Sequence, residues 1–262
     1  MDINFKLFLP EIIVMVTAFL VLAADLIMPK GGRKGLGRLS IIGAIIAIII
    51  IAMNAGATGT TLFDLFIQDG VSVFFKILFL ITGIFICCMA IEYEGKIKNF
   101  KGEFYSLILF AVLAMMFLAS SNDFISLYVS LEFLAVTLYI LACYTKEEPN
   151  SVEAGLKYFV TGALASGFLL YGIAYLYGAA GSTEFSQIAN ALNGKDLSGF
   201  LAIGVILVVI GLSFKIASVP FHVWAPDVYQ GAPTPITALL AAGSKAAGFV
   251  ILMRVMFTAL GS

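Results

Sequence analysis

The chain has 262 residues, of which 61% are hydrophobic and 12% charged, with a formal net charge of −1. A soluble domain is roughly 45–50% apolar, and one of this length could not bury so much apolar surface, so the class is polytopic membrane protein. The net charge says nothing about partners, and no basic stripe suggests a nucleic-acid partner.

Apolar windows long enough to cross a bilayer, about 17–25 residues each, fall near 8–28, 39–57, 71–91, 104–121, 124–144, 153–178, 198–218 and 234–259. They predict eight transmembrane helices, because an open sheet edge in lipid would leave backbone groups unsatisfied. The first window is not read as a cleavable signal: Glu11 and Asp25 interrupt it, and no small-residue cleavage site precedes the basic loop. Spans four and five are separated only by Ser120, Ser121, Asn122 and Asp123, where Asn122 or Asp123 is expected to cap the incoming helix. Cys87, Cys88 and Cys143 lie in apolar runs without metal-ligand spacing and read as small packing residues.

Loop charges predict the orientation. Lys30, Arg33, Lys34, Arg38, Lys96, Lys98, Lys101 and Lys146 follow spans one, three and five, whereas the alternate side has only Lys6 and Lys195. This bias puts the loops after those spans in the cytoplasm and the N-terminus outside. The polar segment 179–196, with Thr183, Glu184, Ser186 and Gln187, then belongs to the outer face as a short surface helix.

Several charges fall inside the spans. Lys76 and Arg254 sit near span ends, and both are expected to snorkel to the interface. Glu132 is mid-span five, Lys157 early in span six, Lys215 near the end of span seven and Lys245 near the centre of span eight. Snorkelling is an alternative for Lys157, and a structural ion pair is one for Glu132 and Lys245. Four ionisable groups on four consecutive helices read better as a proton-conducting chain. Lysine loses its charge readily when desolvated. A carboxylate ~4 Å away at an effective dielectric near ~20 attracts it by about 4 kcal/mol, enough to decide whether it keeps its proton.

Pro220, Pro226, Pro233 and Pro235 break the sequence between spans seven and eight. Broken helices at membrane depth line watery cavities or pack within protein, and transporters use them at ion sites. His222, just beyond the break, is a candidate proton relay, with a structural loop hydrogen bond as its alternative. Trp224 reads as an interface anchor. Small residues at Gly162/Ser166 and Gly243/Ala247 permit close helix approach.

The segments LYVSLEFLAVTLYILACY, EAGLKYFVTGALASGFLLYGIAYLYGAAGS and FKIASVPFHVWAPDVYQGAPTPITALLAAGSKAAGF resemble the antiporter-like membrane subunits of respiratory complex I. The resemblance runs from about residue 60 onward. Its PFHVWAPD…GAPTP element is specific to that superfamily, and AAGSKAAG in span eight favours the N-type subunits of bacterial NADH–quinone oxidoreductase over the histidine-bearing L and M types. It implies an all-α antiporter-like fold with three leading helices over 1–103 and a five-helix repeat over 104–260, broken around 213–235. By the resemblance, Glu132 is the glutamate of span five, and Lys157, Lys215 and Lys245 are the lysines of spans six, seven and eight. Members of that family carry a second, inverted repeat, so the chain is expected to be a fragment or a split subunit.

No nucleotide-binding or cluster-binding motif is visible. The resemblance therefore assigns NADH, FMN, iron–sulfur clusters and quinone to partner subunits, with none in this chain. The expected partners are K- and M-type membrane neighbours and the lipid bilayer, in a bacterial inner membrane. Proton translocation in a quinone-reducing complex stands first. A subunit of a sodium/proton antiporter or membrane-bound hydrogenase is the alternative, and a purely structural membrane anchor is a third reading.

Overall fold

The computed structural model describes residues 4–27, 33–97, 100–192 and 199–261. The loop charges Lys30, Lys98 and Lys195 lie outside them. Among the described residues, eight helices are long and apolar enough to cross a membrane. They comprise α1 (Phe5–Ile27), α2 (Arg33–Met53), α3 (Gly70–Tyr93), α4 (Glu103–Ser120), α5 (Phe124–Ala142), α6 (Pro149–Ala180), α8 (Gly199–Ile216) and a last span over Thr234–Ala259. A short helix, α7 (Phe185–Leu192), lies within the expected polar segment.

Local chemistry sets the ends. Asp69 caps α3 by accepting from Ser72 N–H at 2.7 Å, while the Ser72 hydroxyl accepts from Asp69 N–H at 2.8 Å, a reciprocal capping box. Asp123 rather than Asn122 caps α5, accepting from the N–H groups of Ile125 and Ser126. Pro149 opens α6 where its missing N–H costs nothing, and Gly181 closes it with φ of 72°.

Helices α1 and α3 each pack between α2 and α4; α4 then meets α5, α5 meets α6, and α6 lies along α8. Helix α4 is almost wholly buried and forms the axis of the molecule. The outward faces carry apolar side chains such as Phe85 and Leu164, each 65% exposed, as a lipid-facing surface requires. Close approach of α6 to α8 depends on glycine: a Cβ on Gly172 would lie 2.6 Å from Val208 N, and one on Gly211 3.1 Å from Ala165 O.

One end of the bundle is tied across its connections. The hairpin of β1 (Gly59–Thr61) and β2 (Phe66–Gln68), paired Thr60 to Ile67, extends through Phe66 to Ser121, and Asp123 bridges to Glu184. The Thr183 hydroxyl donates to the second Asp123 oxygen. Phe185 of α7 sets its ring edge-on to Phe124 at 4.9 Å.

At the other end the expected break is present. Helix α8 stops at Ile216, Ala217 takes φ of 54°, and a cis Val219–Pro220 bond leads to α9 (Trp224–Gly231). Pro233 precedes the last span, which is not uniform: α10 (Thr234–Leu239), a π-helical turn over Leu240–Ser244, α11 (Lys245–Arg254) and a second π turn over Val255–Ala259. Neither π turn was legible from periodicity.

Three expectations are corrected. Lys76 does not snorkel: it is 2% exposed and pairs with Glu11 at 2.7 Å. Arg254, 8% exposed, turns inward, donating from Nε to Ala119 O at 2.7 Å and through both terminal nitrogens to Asp69 at 2.8 and 3.2 Å. Each finds an acid elsewhere in the fold instead, Glu11 of α1 for Lys76 and Asp69, the N-cap of α3, for Arg254. Trp224 is no interface anchor; it is 4% exposed because aromatic rings enclose it.

Candidate functional site

Glu132 sits near the middle of α5, half-buried, and its Oε1 accepts a hydrogen bond from the Ser166 hydroxyl of α6. Lys215 is the penultimate residue of α8, where the proline break turns the chain and leaves the lysine facing inward. Its Nζ is buried with no hydrogen-bond partner among the described residues and lies 5.9 Å from the Phe214 ring centre. Glu132 lies within electrostatic range of it, with no direct ion pair between them among the described residues. Beside Lys215 is a cavity of about 10 Å³ walled by Leu131 and Leu138 of α5, Tyr158 of α6, and Ser244 and Gly248 of the last span. That is room for about one water, and Lys215, Tyr158 and Ser244 are the polar residues that line it.

Lys245 follows the first π turn. Its Nζ stands 4.5 Å from the Trp224 ring centre and 5.9 Å from that of Tyr229, and approaches Lys215 O at 3.5 Å. Trp224 stacks between Tyr158 at 4.5 Å and Phe214 at 5.2 Å. An ammonium over an indole face is held by about 2 kcal/mol or more when desolvated, so the aromatic stack retains a cation without supplying a carboxylate. Tyr139 meets Tyr158 edge-on at 4.7 Å, and its hydroxyl occupies the space that a side chain at Gly162 would fill. Tyr139 OH and Trp224 Nε1, like Lys215 Nζ, are buried without a partner among the described residues. Counting Lys215 Nζ, three buried polar atoms in this region lack a partner among the described residues, where buried polar groups are ordinarily paired.

The structure brings Glu132, Lys215 and Lys245 into one interior region. It does not bring in Lys157, which points outward from α6 and pairs with Glu153 at 2.7 Å and Asp227 at 2.5 Å. Tyr158, one residue on and ~100° round the helix, takes the inward direction instead. His222 is exposed in the turn between α8 and α9. Sequence reasoning missed Ser166, Tyr139, Tyr158 and Ser244 as members of the site. Ser166 was visible only as a small residue, and nothing in the spacing distinguishes these tyrosines from others in the spans.

Residues 121–262 match the family described as NADH:quinone oxidoreductase/Mrp antiporter, transmembrane. "NADH-quinone oxidoreductase subunit N" of Magnetococcus marinus is 43% identical over 99% of this chain and 54% of its own length. The protein of that name from Desulforamulus reducens is 38% identical over 97% and 53%. The chain therefore spans about half the length of the curated relatives it matches. A chain in the structure "Respiratory complex I from Thermus thermophilus with bound Aureothin" aligns at a TM-score of 0.79 and 34% identity, over 94% of this chain and 53% of that one. A chain of an archaeal membrane-bound sulfane sulfur reductase, 22% identical, has the same fold at a TM-score of 0.83 over 97% of this chain and 54% of its own. With eight spans, a proline-broken seventh and a family match over more than half its residues, the chain belongs to the NADH:quinone oxidoreductase/Mrp antiporter transmembrane family.

Proposed function

We propose that the chain is an N-type, proton-translocating membrane subunit of a bacterial NADH:quinone oxidoreductase. Its relatives carry that subunit name over nearly all of this chain. The observation that carries the reading is Lys215, whose buried Nζ, without a hydrogen-bond partner among the described residues, lies beside a water-sized cavity within electrostatic reach of Glu132. NADH, FMN, the iron–sulfur clusters and quinone belong to partner subunits, including K- and M-type neighbours, and this chain answers them with proton movement.

The geometry supports a simple cycle. An approach of Glu132 to Lys215 stabilises the ammonium and loads a proton; withdrawal of the carboxylate favours the amine and releases it. The released proton passes by one water past Tyr158 and Ser244 toward Lys245, held on the aromatic stack. The Ser166 hydroxyl sets where the Glu132 carboxylate rests. Lys157 with Glu153 and Asp227, and His222 in the turn, serve at the surface rim of this path. Residues 104–260 act as the five-helix transport unit, preceded by the three leading helices of 1–103. The N-terminus faces the outside of the inner membrane, following the excess of Lys and Arg in the loops after spans one, three and five.

Glu132→Gln tests the cycle, because it keeps the shape and an acceptor for Ser166 while removing the charge. Assembled membranes carrying it should lose most NADH-driven proton uptake; uptake at the wild-type rate would refute the role of the carboxylate.

A further inference from the structure

The leading helices hold a charged site that the path above does not use. Glu11 and Lys76 are the seventh residues of α1 and α3, about 9 Å along each helix from its start. They meet at 2.7 Å with side chains 1% and 3% exposed. Because α1 and α3 each pack between α2 and α4, the pair spans the interior of this four-helix group rather than a lipid-facing seam. The neighbouring segments 43–53 of α2 and 112–120 of α4 contain no ionisable side chain. Toward the helix starts the charged groups are Lys6, Asp64, and Asp69 with its partner Arg254.

Two features separate this pair from a simple staple. Glu11 Oε2 is buried and accepts no hydrogen bond among the described residues, so the carboxylate is satisfied on one oxygen only. Pro10, immediately before it and inside α1, has no N–H to give the carbonyl one turn earlier. The unpaired carboxylate oxygen thus stands next to a turn that proline leaves short of one backbone hydrogen bond. Phe8, one turn before Glu11, stacks on Phe117 at 5.6 Å and tilts against Phe66 at 6.0 Å, so aromatic rings pack at the turn before the pair. Apolar side chains of similar volume would hold two helices together as well as a buried ion pair, and often better. Ionisable residues inside membrane spans mark proton or ion sites by default.

We propose that Glu11 and Lys76 form a second proton-handling pair, in the leading helices and outside the charged series of spans five to eight. One proton moves 2.7 Å from Lys76 Nζ to Glu11 Oε1: an N–H bond breaks, an O–H bond forms, and the pair passes from ammonium–carboxylate to amine–acid with no net charge entering the bundle. Glu11 Oε2, without a partner among the described residues, is the pair's remaining acceptor for exchanging that proton. This role deepens the proton-translocating reading and rests on it.

The test uses membranes with the complex assembled around the full-length protein, comparing Glu11→Asp, the double variant Glu11→Met/Lys76→Met, and Lys215→Met as a reference. The double variant, which replaces the pair with apolar bulk, should assemble and melt no lower than wild type while proton uptake per quinone reduced falls severalfold. Glu11→Asp keeps the charge but withdraws the carboxylate, and should slow uptake with assembly intact, so the role is tested even where the double variant fails to assemble. Wild-type uptake in Glu11→Asp, or in an assembled double variant, would overturn the proposal. If only Lys215→Met lowers uptake, this pair is structural and the translocation reading stands; if Lys215→Met leaves uptake unchanged, that reading itself has failed.

Discussion

Among the residues of the site, the carboxylate and lysine differ in how firmly they are held. Glu132 has a hydroxyl donor in Ser166, whereas Lys215 Nζ has none among the described residues and depends on the distant carboxylate and whatever water fills its small cavity. The lysine is thus the member whose proton is decided by movement around it. Removing the Ser166 donor should misplace Glu132. Hydrogen bonds to charged groups contribute about 1.5–3 kcal/mol, and ~1.4 kcal/mol is a factor of ten. Ser166→Ala should therefore lower coupled proton uptake about tenfold with assembly unchanged, measured beside quinone reduction in the same membranes. The glutamate and both interior lysines were legible in the sequence because charge inside hydrocarbon stands out against a 61% hydrophobic background. Ser166, Tyr139, Tyr158 and Ser244 were not, because small polar and aromatic residues are common throughout membrane helices and their roles depend on which helices meet.

At the scale of elements, three junctions carry the architecture. The first is α6 against α8, where Gly172, Gly204 and Gly211 bring the backbones together. Gly172→Val should cost about 1–3 kcal/mol through overpacking, read as a lower melting temperature in detergent. Because α6 carries Ser166 and α8 carries Lys215, coupled activity should fall with it. The second junction ties the last span to α3. Burial raises the Asp69 carboxyl, but the hydrogen bonds from Arg254 and Ser72 outweigh it and hold the group below its ordinary value. A carboxylate depressed in the folded state stabilises above its unfolded pKa, and that contribution is lost as pH falls through the lower folded value. Wild-type melting temperature should drop from neutral pH toward about pH 3, and Asp69→Asn should start lower and lose this part of the dependence. The third junction is the π turn before Lys245, which rotates that lysine over Trp224. The prolines foretold the break between spans seven and eight; no residue foretold the π turns, since α and π geometry share the same composition and differ by one inserted residue.

On the scale of the whole molecule, eight spans were readable because a 262-residue chain this apolar has few alternatives. Their lateral arrangement was not. Length and hydropathy say that a helix crosses the bilayer without saying which face turns inward, so Lys76 and Arg254 read as interfacial although each finds an acid elsewhere in the fold. Lys157 shows the same limit from the other side: its sequence position is close to Tyr158, yet it points out of the bundle while the tyrosine lines the Lys215 cavity. What emerges is a charged interior built around the end of α8, supported by four leading and neighbouring helices and closed by aromatic rings. The central claim is that Lys215 carries the proton. The most direct measurement follows NADH-driven quinone reduction and proton uptake together in membranes carrying the assembled complex with Lys215→Met. Both should fall while assembly persists; wild-type rates of both would contradict the account and leave the lysine a structural residue.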